Sequence, residues 1–361
     1  MYLPDPRTSQ PLTNVDALPA SLQSWLANPA AQTVPADAIE DMLFAGHDEQ
    51  LQQLLTALPV ATRRDVWKAV AGLADGTNSR EREDGKLVRL FAIPLVIVAG
   101  ARQPHTIPAL IPNPLEMRAL LVEHGVMDSS NHVWMSGELV DLAGLSAIPM
   151  SKWYQAALAT TLATQGFPFE LPASPVAVDS RERVQLRFIV GIVVEDASRQ
   201  RAMVGAPVGK WGMALSQLLQ QQWQTEGLTL FVMPRALTGV VAGQRDARFT
   251  CLEVAFQLFA SAIIRRAREG VGDPAAVVSI HDNAEIRVTI GSRLQPDVAE
   301  RFVWPLDDLD QIESVLHMMQ IFFEECQVTD VTVAEQILPD RNAEGAPLFL
   351  AVDATTAVQP N

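Results

Sequence analysis

Apolar residues recur at helical spacing through the first part of the chain and then change period. Between Ser21 and Gly76 they fall at Leu22, Trp25 and Leu26, at Ile39 and Leu43, at Leu51, Leu54, Leu55 and Leu58, and at Val66, Trp67, Val70 and Leu73. Steps of three and four place them on one face of a helix. Breaks at Asn28-Pro29, Val34-Pro35, Ala45-Gly46 and Leu58-Pro59 divide the stretch into three or four short helices. Asp37 and Thr62 are the expected N-caps. Residues 1–20, rich in Pro, Ser, Thr and Asp, read as an extended arm ahead of a helical unit over 21–76.

The string DGTNSREREDGK (75–86) is polar and bracketed by glycines, and a charged linker is expected over 77–86. Beyond it the pattern turns to strands. LVRLFAIPLVIVAGA (87–101) is a continuous apolar run of the kind found in a strand covered on both faces, with Pro94 calling for a bulge or an edge position. Short helices are expected over Leu115–Glu123, closed by His124-Gly125, and from Ser151 to about Thr164, with a weakly alternating strand at 132–142 between them. GFPFELPASP (166–175) is a second irregular connector.

VQLRFIVGIVV (184–194) is the clearest strand, followed by a helix from Lys210 to about Thr225 and a strand at 228–234. The longest helix is expected over Phe249–Arg268. AAVVSI (275–280) and EIRVTI (285–290), separated by HDNA, form a hairpin signal. A short strand at FVWPL precedes an amphipathic helix over Asp308–Cys326, and VTDVTVAEQIL and APLFLAVD close the chain as strands. Helices mixed with hairpins, without a regular βαβ repeat, predict an α+β class: a small helical N-terminal unit, then a mixed-sheet α/β region of one or two lobes. The lobes are an α/β lobe over 87–175 and an α+β lobe over 176–361.

Composition narrows the function classes. Of 361 residues 48% are hydrophobic and 19% charged, so a packed core is within reach and general disorder is excluded. Lys and Arg total 27 against 42 Asp and Glu, a net charge of −15 that repels nucleic-acid phosphates and anionic membranes. The acidity is uneven: residues 271–361 hold 16 acids, 4 Arg and no Lys, while 1–270 carry a net of only −3. That last quarter presents one sign of field to its surroundings. The N-terminus shows no basic stretch leading into an apolar run, and no apolar run reaches the ~18 residues of a membrane helix. A cytoplasmic protein without membrane insertion is expected. Two cysteines, Cys251 and Cys326, support neither a disulfide framework nor a Cys-type zinc site.

Candidate chemistry is sparse. GAPVGKWG (205–212) lies between a strand and a helix as a phosphate-cradling loop does, with Lys210 in the lysine position. Its glycine spacing is one residue short, and Trp211 stands where a hydroxyl should bind Mg²⁺. His281-Asp282 pairs two metal-binding types inside a hairpin loop, where Asp and Asn also serve the turn. Glu195 and Asp196 end the clearest strand, a usual place for active-site acids, but neighbouring strand residues face opposite ways. A glycine-flanked serine of the nucleophile-elbow type is absent. No metal or cofactor is expected.

The helix FTCLEVAFQLFASAII (249–264) is apolar almost all round, with Glu253 its one charge. Such a helix is either central to a core or covered by another subunit. Phe249, Leu252, Phe256 and Phe259 on one side, with Arg265, Arg266 and Arg268 at the end, are the expected interface, apolar and Arg side chains being frequent anchors. The arginines complement the negative C-terminal end of their own helix. The expectation is therefore a non-enzymatic protein-binding assembly component, with a protein partner or a second copy. The alternative is a nucleotide- or phosphate-binding enzyme with a loop-built site near Lys210 and His281, drawing on Glu195, Asp196 and Asp282.

Overall fold

The computed structural model describes residues 18–27, 34–76, 85–100, 105–111, 113–162, 166–172, 174, 177–178, 184–196, 208–223, 227–232, 239–270, 272–281, 284–292, 295–307, 309–334 and 357–358. The chain is α+β with two main sheets, and it divides into two compact units, Met1–Cys251 and Leu252–Asn361. Most of the expected arm over 1–20, most of the 77–86 linker, the loop holding Gly205, the strand APLFLAVD and Asp282 lie outside the described residues.

The first unit opens with four helices, α1 (Ala20–Ala27), α2 (Ala36–Ala45), α3 (Asp48–Ala57) and α4 (Val60–Ala74). Pro35 and Pro59 hold the N-cap positions of α2 and α4, so neither Asp37 nor Thr62 caps as expected. Pro pre-sets the φ a helix entry needs, and capping by a side chain is then dispensable. Next come β1 (Lys86–Ala99), β2 (His105–Thr106), α5 (Pro114–Glu123), β3 (His132–Met135), β4 (Val140–Asp141), α6 (Leu142–Ser146) and α7 (Met150–Ala159). They are followed by β5 (Ala177–Val178), β6 (Val184–Asp196), α8 (Val208–Trp223), β7 (Leu228–Val232) and α9 (Val240–Glu269), which runs on into the second unit.

The main sheet of this unit is antiparallel, ordered β3-β6-β1-β7 with β4 also on β6. Register puts Phe91, Ile93, Leu95 and Ile97 on the face of Ile189 and Val193, where Met117 and Leu121 of α5 and Trp211, Leu215 and Leu219 of α8 complete a core. The opposite face, with Val88, Leu90 and Val96 beside Val190 and Ile192, is equally buried, and α7 packs against β1 there and against α2 and α4. Two covered faces are why the run 87–101 shows no alternation. Pro94 stays in register with Phe188, so no bulge forms. Among the described residues it sits one residue past the last β7 pairing, Leu95 with Val232, a position where a missing N–H costs little.

The end of the helical unit 21–76 is bonded to the sheet and to α9 through Asp75. Asp75 closes α4, its carbonyl accepts the N–H of Leu90 at 2.9 Å, and its carboxylate accepts Val241 N–H at 2.7 Å and Ala242 N–H at 3.0 Å. Gly76 has φ +70, and a Cβ there would stand 2.3 Å from the Val88 carbonyl oxygen. Those bonds also explain why α9 begins at Val240 and not at Phe249. Gly243, Arg245, Asp246 and Arg248 look like loop in sequence, but the Asp75 carboxylate satisfies the orphan N–H groups of the first turn.

The second unit contains the end of α9, then β8 (Pro274–His281), β9 (Glu285–Ser292), β10 (Gln295–Pro305), α10 (Ile312–Glu325), β11 (Asp330–Ala334) and β12 (Ala357–Val358). The first three strands form an antiparallel meander, and α10 carries the chain across to β11, parallel to β8, giving the order β10-β9-β8-β11-β12. On one face Val278, Val288 and Phe302 stand side by side in register. Phe256 of α9 meets Phe302 edge-on with ring centroids 5.6 Å apart, and Phe322 and Phe323 of α10 at 5.3 and 5.9 Å.

Candidate functional site

Of the residues expected to carry chemistry, Glu195 and Asp196 are both engaged by cations. They point to opposite faces of β6, as strand geometry requires. Glu195 is buried, and its Oε1 lies 2.7 Å from Nε of Arg89, itself buried on the neighbouring strand. Asp196 meets Lys86 directly across the ladder at 3.2 Å, in a partly exposed pair. Lys210 is exposed in the first turn of α8. Trp211, at the position a P-loop gives to a hydroxyl, is sunk in the core, and a side chain on Gly209 would meet nothing within 4 Å.

His281 ends β8 in the second unit, buried, with Nε2 3.0 Å from Ser279 Oγ two residues back on the same strand face. Glu285 stands opposite His281 in register and is ion-paired with Arg287 at 2.5 Å. Glu195, Asp196 and Lys210 belong to the first unit and His281 to the second. Among the described residues no group of three or more His, Cys, Asp or Glu has metal-binding geometry.

The expected interface on α9 separates into parts with different fates. Phe256 is fully buried inside its own unit by Phe302, Phe322 and Phe323, which corrects its assignment to an interface: the chain's own rings already occupy its surface. Phe259 packs against Phe302 at 5.6 Å and stays half-buried, as do Phe249 and Leu252. In fact every residue from Arg248 to Ala255 is half-buried, and Leu258 is 36% exposed. Only 28% of the most apolar 18-residue stretch of this 30-residue helix is buried. By length and composition alone α9 suffices to cross a membrane, because the helix starts nine residues earlier than its apolar run suggests.

Two of the three arginines serve partners outside their own helix. Arg266 is paired with Glu300 of β10, and Arg265 lies 4.0 Å from Glu269 on the surface. Arg268 donates to the carbonyls of Cys326 and Gln327, the end of α10, so its charge complements that helix and not α9. Gln327 there has φ 55, and Gln327 N–H and Val328 N–H bond back to the carbonyls of Glu324 and Phe323 at 2.9 Å each. This is a Schellman closure with glutamine in the glycine position. Ser261, Ile264, Arg265, Arg268, Glu269 and Cys326 line a shallow depression of about 310 Å³ beside it.

Both thiols are restrained. Burial pushes the Cys251 thiol up to about 11, with Arg187 pulling it partly back. Desolvation also raises Cys326, against the pull of Arg268. A thiol in this state is a poor nucleophile. Asp75 is the residue that sequence reasoning missed. Its one signal is an Asp-Gly pair directly after a helical apolar pattern, which also reads as the start of a polar loop.

Compared with known proteins, the chain matches no family model, no curated protein and no solved structure.

Proposed function

We propose that this chain is a protein-binding assembly component and that the middle of α9 is its contact surface. One observation carries the reading: Phe249, Leu252, Val254 and Leu258 sit on a helix whose own chain leaves the whole 248–255 stretch half-covered and Leu258 36% exposed. Completing the burial of one such side chain contributes about 1 kcal/mol, and large apolar surfaces left open on a helix mark interaction sites. The nucleotide- or phosphate-binding alternative would place its ligand at the α8 N-terminus, beside exposed Lys210.

The test is light scattering of the purified full chain over a concentration series, with Leu258→Glu beside it. Concentration-dependent association that this substitution abolishes, with circular dichroism and melting unchanged, is the expected result. A monomer at every concentration that instead co-floats with lipid vesicles refutes the reading and assigns α9 to a bilayer.

A further inference from the structure

Asp75 is fully buried at the joint where α4 ends, β1 begins its pairing and α9 starts. Its carboxylate is bonded by backbone N–H groups of α9, Val241 at 2.7 Å and Ala242 at 3.0 Å, with Val240 adding to them. The space around it is closed: a Cβ on Gly239 would stand 2.0 Å from Asp75 Oδ2. The charged groups on the packed elements are Arg63, Arg64, Asp65 and Lys68 on α4, Lys86 and Arg89 on β1, and Arg245, Asp246, Arg248 and Glu253 on the first half of α9. Lys86 and Arg89 are taken by Asp196 and Glu195, and among the described residues none of these groups is ion-paired with Asp75. A carboxylate buried without a cation is penalised in its charged form, and dipoles offset that penalty only in part.

We propose that Asp75 is a pH-sensitive clamp on the first turn of α9: protonated, it holds the joint of α4, β1 and α9 closed, and ionised, it weakens that joint. Burial outweighs the three N–H groups and lifts the carboxyl from 3.8 to about 7. The folded joint therefore binds a proton, between those two values, that an opened joint exposing Asp75 to water gives up. Opening is then favoured as pH rises through this window and levels off above it.

Hydrogen exchange of the full chain, followed on amides 240–243 and corrected for intrinsic exchange, reads the opening directly. One proton released per opening event predicts a rise in the opening constant of about tenfold per pH unit in the middle of the window, slackening towards 7, so roughly 15-fold from pH 5.5 to 7. Amides of β8 and β9 in the other unit serve as the control, with no such slope. Asp75→Asn is expected to flatten the profile. Should that variant not fold, a carbon-13 titration of the Asp75 side chain in the natural chain decides instead. A flat or falling opening constant, or a carboxyl midpoint below about 5, means that the backbone N–H groups keep Asp75 ionised and overturns the clamp.

Discussion

Replacing Glu195 with alanine removes one half of a buried ion pair and leaves the other half in place. The side chains of Arg89 and Glu195 are only 10% and 2% exposed, and 2.7 Å separates Nε from Oε1. Arg89 does not shed its charge at any accessible pH, so the guanidinium stays in the interior with the carboxylate that faces it removed. Breaking one side of such a pair costs about 3–5 kcal/mol. With an m-value of about 2–3 kcal/mol per molar urea, the midpoint of the transition that unfolds the first unit drops by roughly 1.5 M. Replacing both partners together, Arg89→Met with Glu195→Leu, fills the same space without charge and is expected to fall within about 1 kcal/mol of the parent or above it. The surface pair supplies the contrast. Asp196→Ala breaks a contact whose members are 28% and 37% exposed, and after screening it costs at most about 0.5 kcal/mol. Urea unfolding followed by circular dichroism, with m held common across the set, measures all three. A loss below about 1 kcal/mol for Glu195→Ala, or a double variant as unstable as the single, refutes the assignment of Glu195 to structure and reopens a chemical role for it.

Three further outcomes follow from the same geometry. Gln327→Gly removes the strain of a side chain at φ 55 while keeping the Schellman bonds, and a gain of about 0.5–1 kcal/mol in thermal or urea unfolding is expected; a loss would mean that the glutamine side chain is itself held. Cys251, lifted from 9.0 to about 11, presents about 100-fold less thiolate at pH 8 than an ordinary thiol, so iodoacetamide should label it at a rate that climbs tenfold per pH unit. Labelling of Cys251 at pH 8 as fast as in urea, read by peptide mass mapping, would contradict its burial. Lys210→Ala, at an exposed position, should leave the melting temperature within the equivalent of about 0.5 kcal/mol and leave any shift with ATP and Mg²⁺ unchanged. Loss of a nucleotide-induced shift in that variant would favour the phosphate-binding alternative.

Much of the element content is a local property and was legible in the chain. The hairpin of β8 and β9 and the face of α10 follow from side-chain periods of 2 and 3.6, which need only neighbours in sequence to be read. The α+β class, the lack of alternation along β1 and the turn at His124-Gly125 follow in the same way. The uneven charge, concentrated after residue 270, is fixed by composition alone.

What only the tertiary structure decided are partnerships between residues far apart in the chain. Asp75 sits in a string that looks like a solvated linker, and becomes a fully buried anchor because β1 and α9, over 160 residues onward, close around it. Phe256 and Leu258 are both apolar and two positions apart. One is sealed by Phe302, Phe322 and Phe323, while the other remains 36% exposed, since helix rotation sets which faces the sheet. Arg268, placed by sequence at the end of its own helix, bonds the end of α10 instead. Hydrophobic period announces that a face will be buried, but burial, pairing and desolvation are pairwise in space, and the chain alone carries no distances.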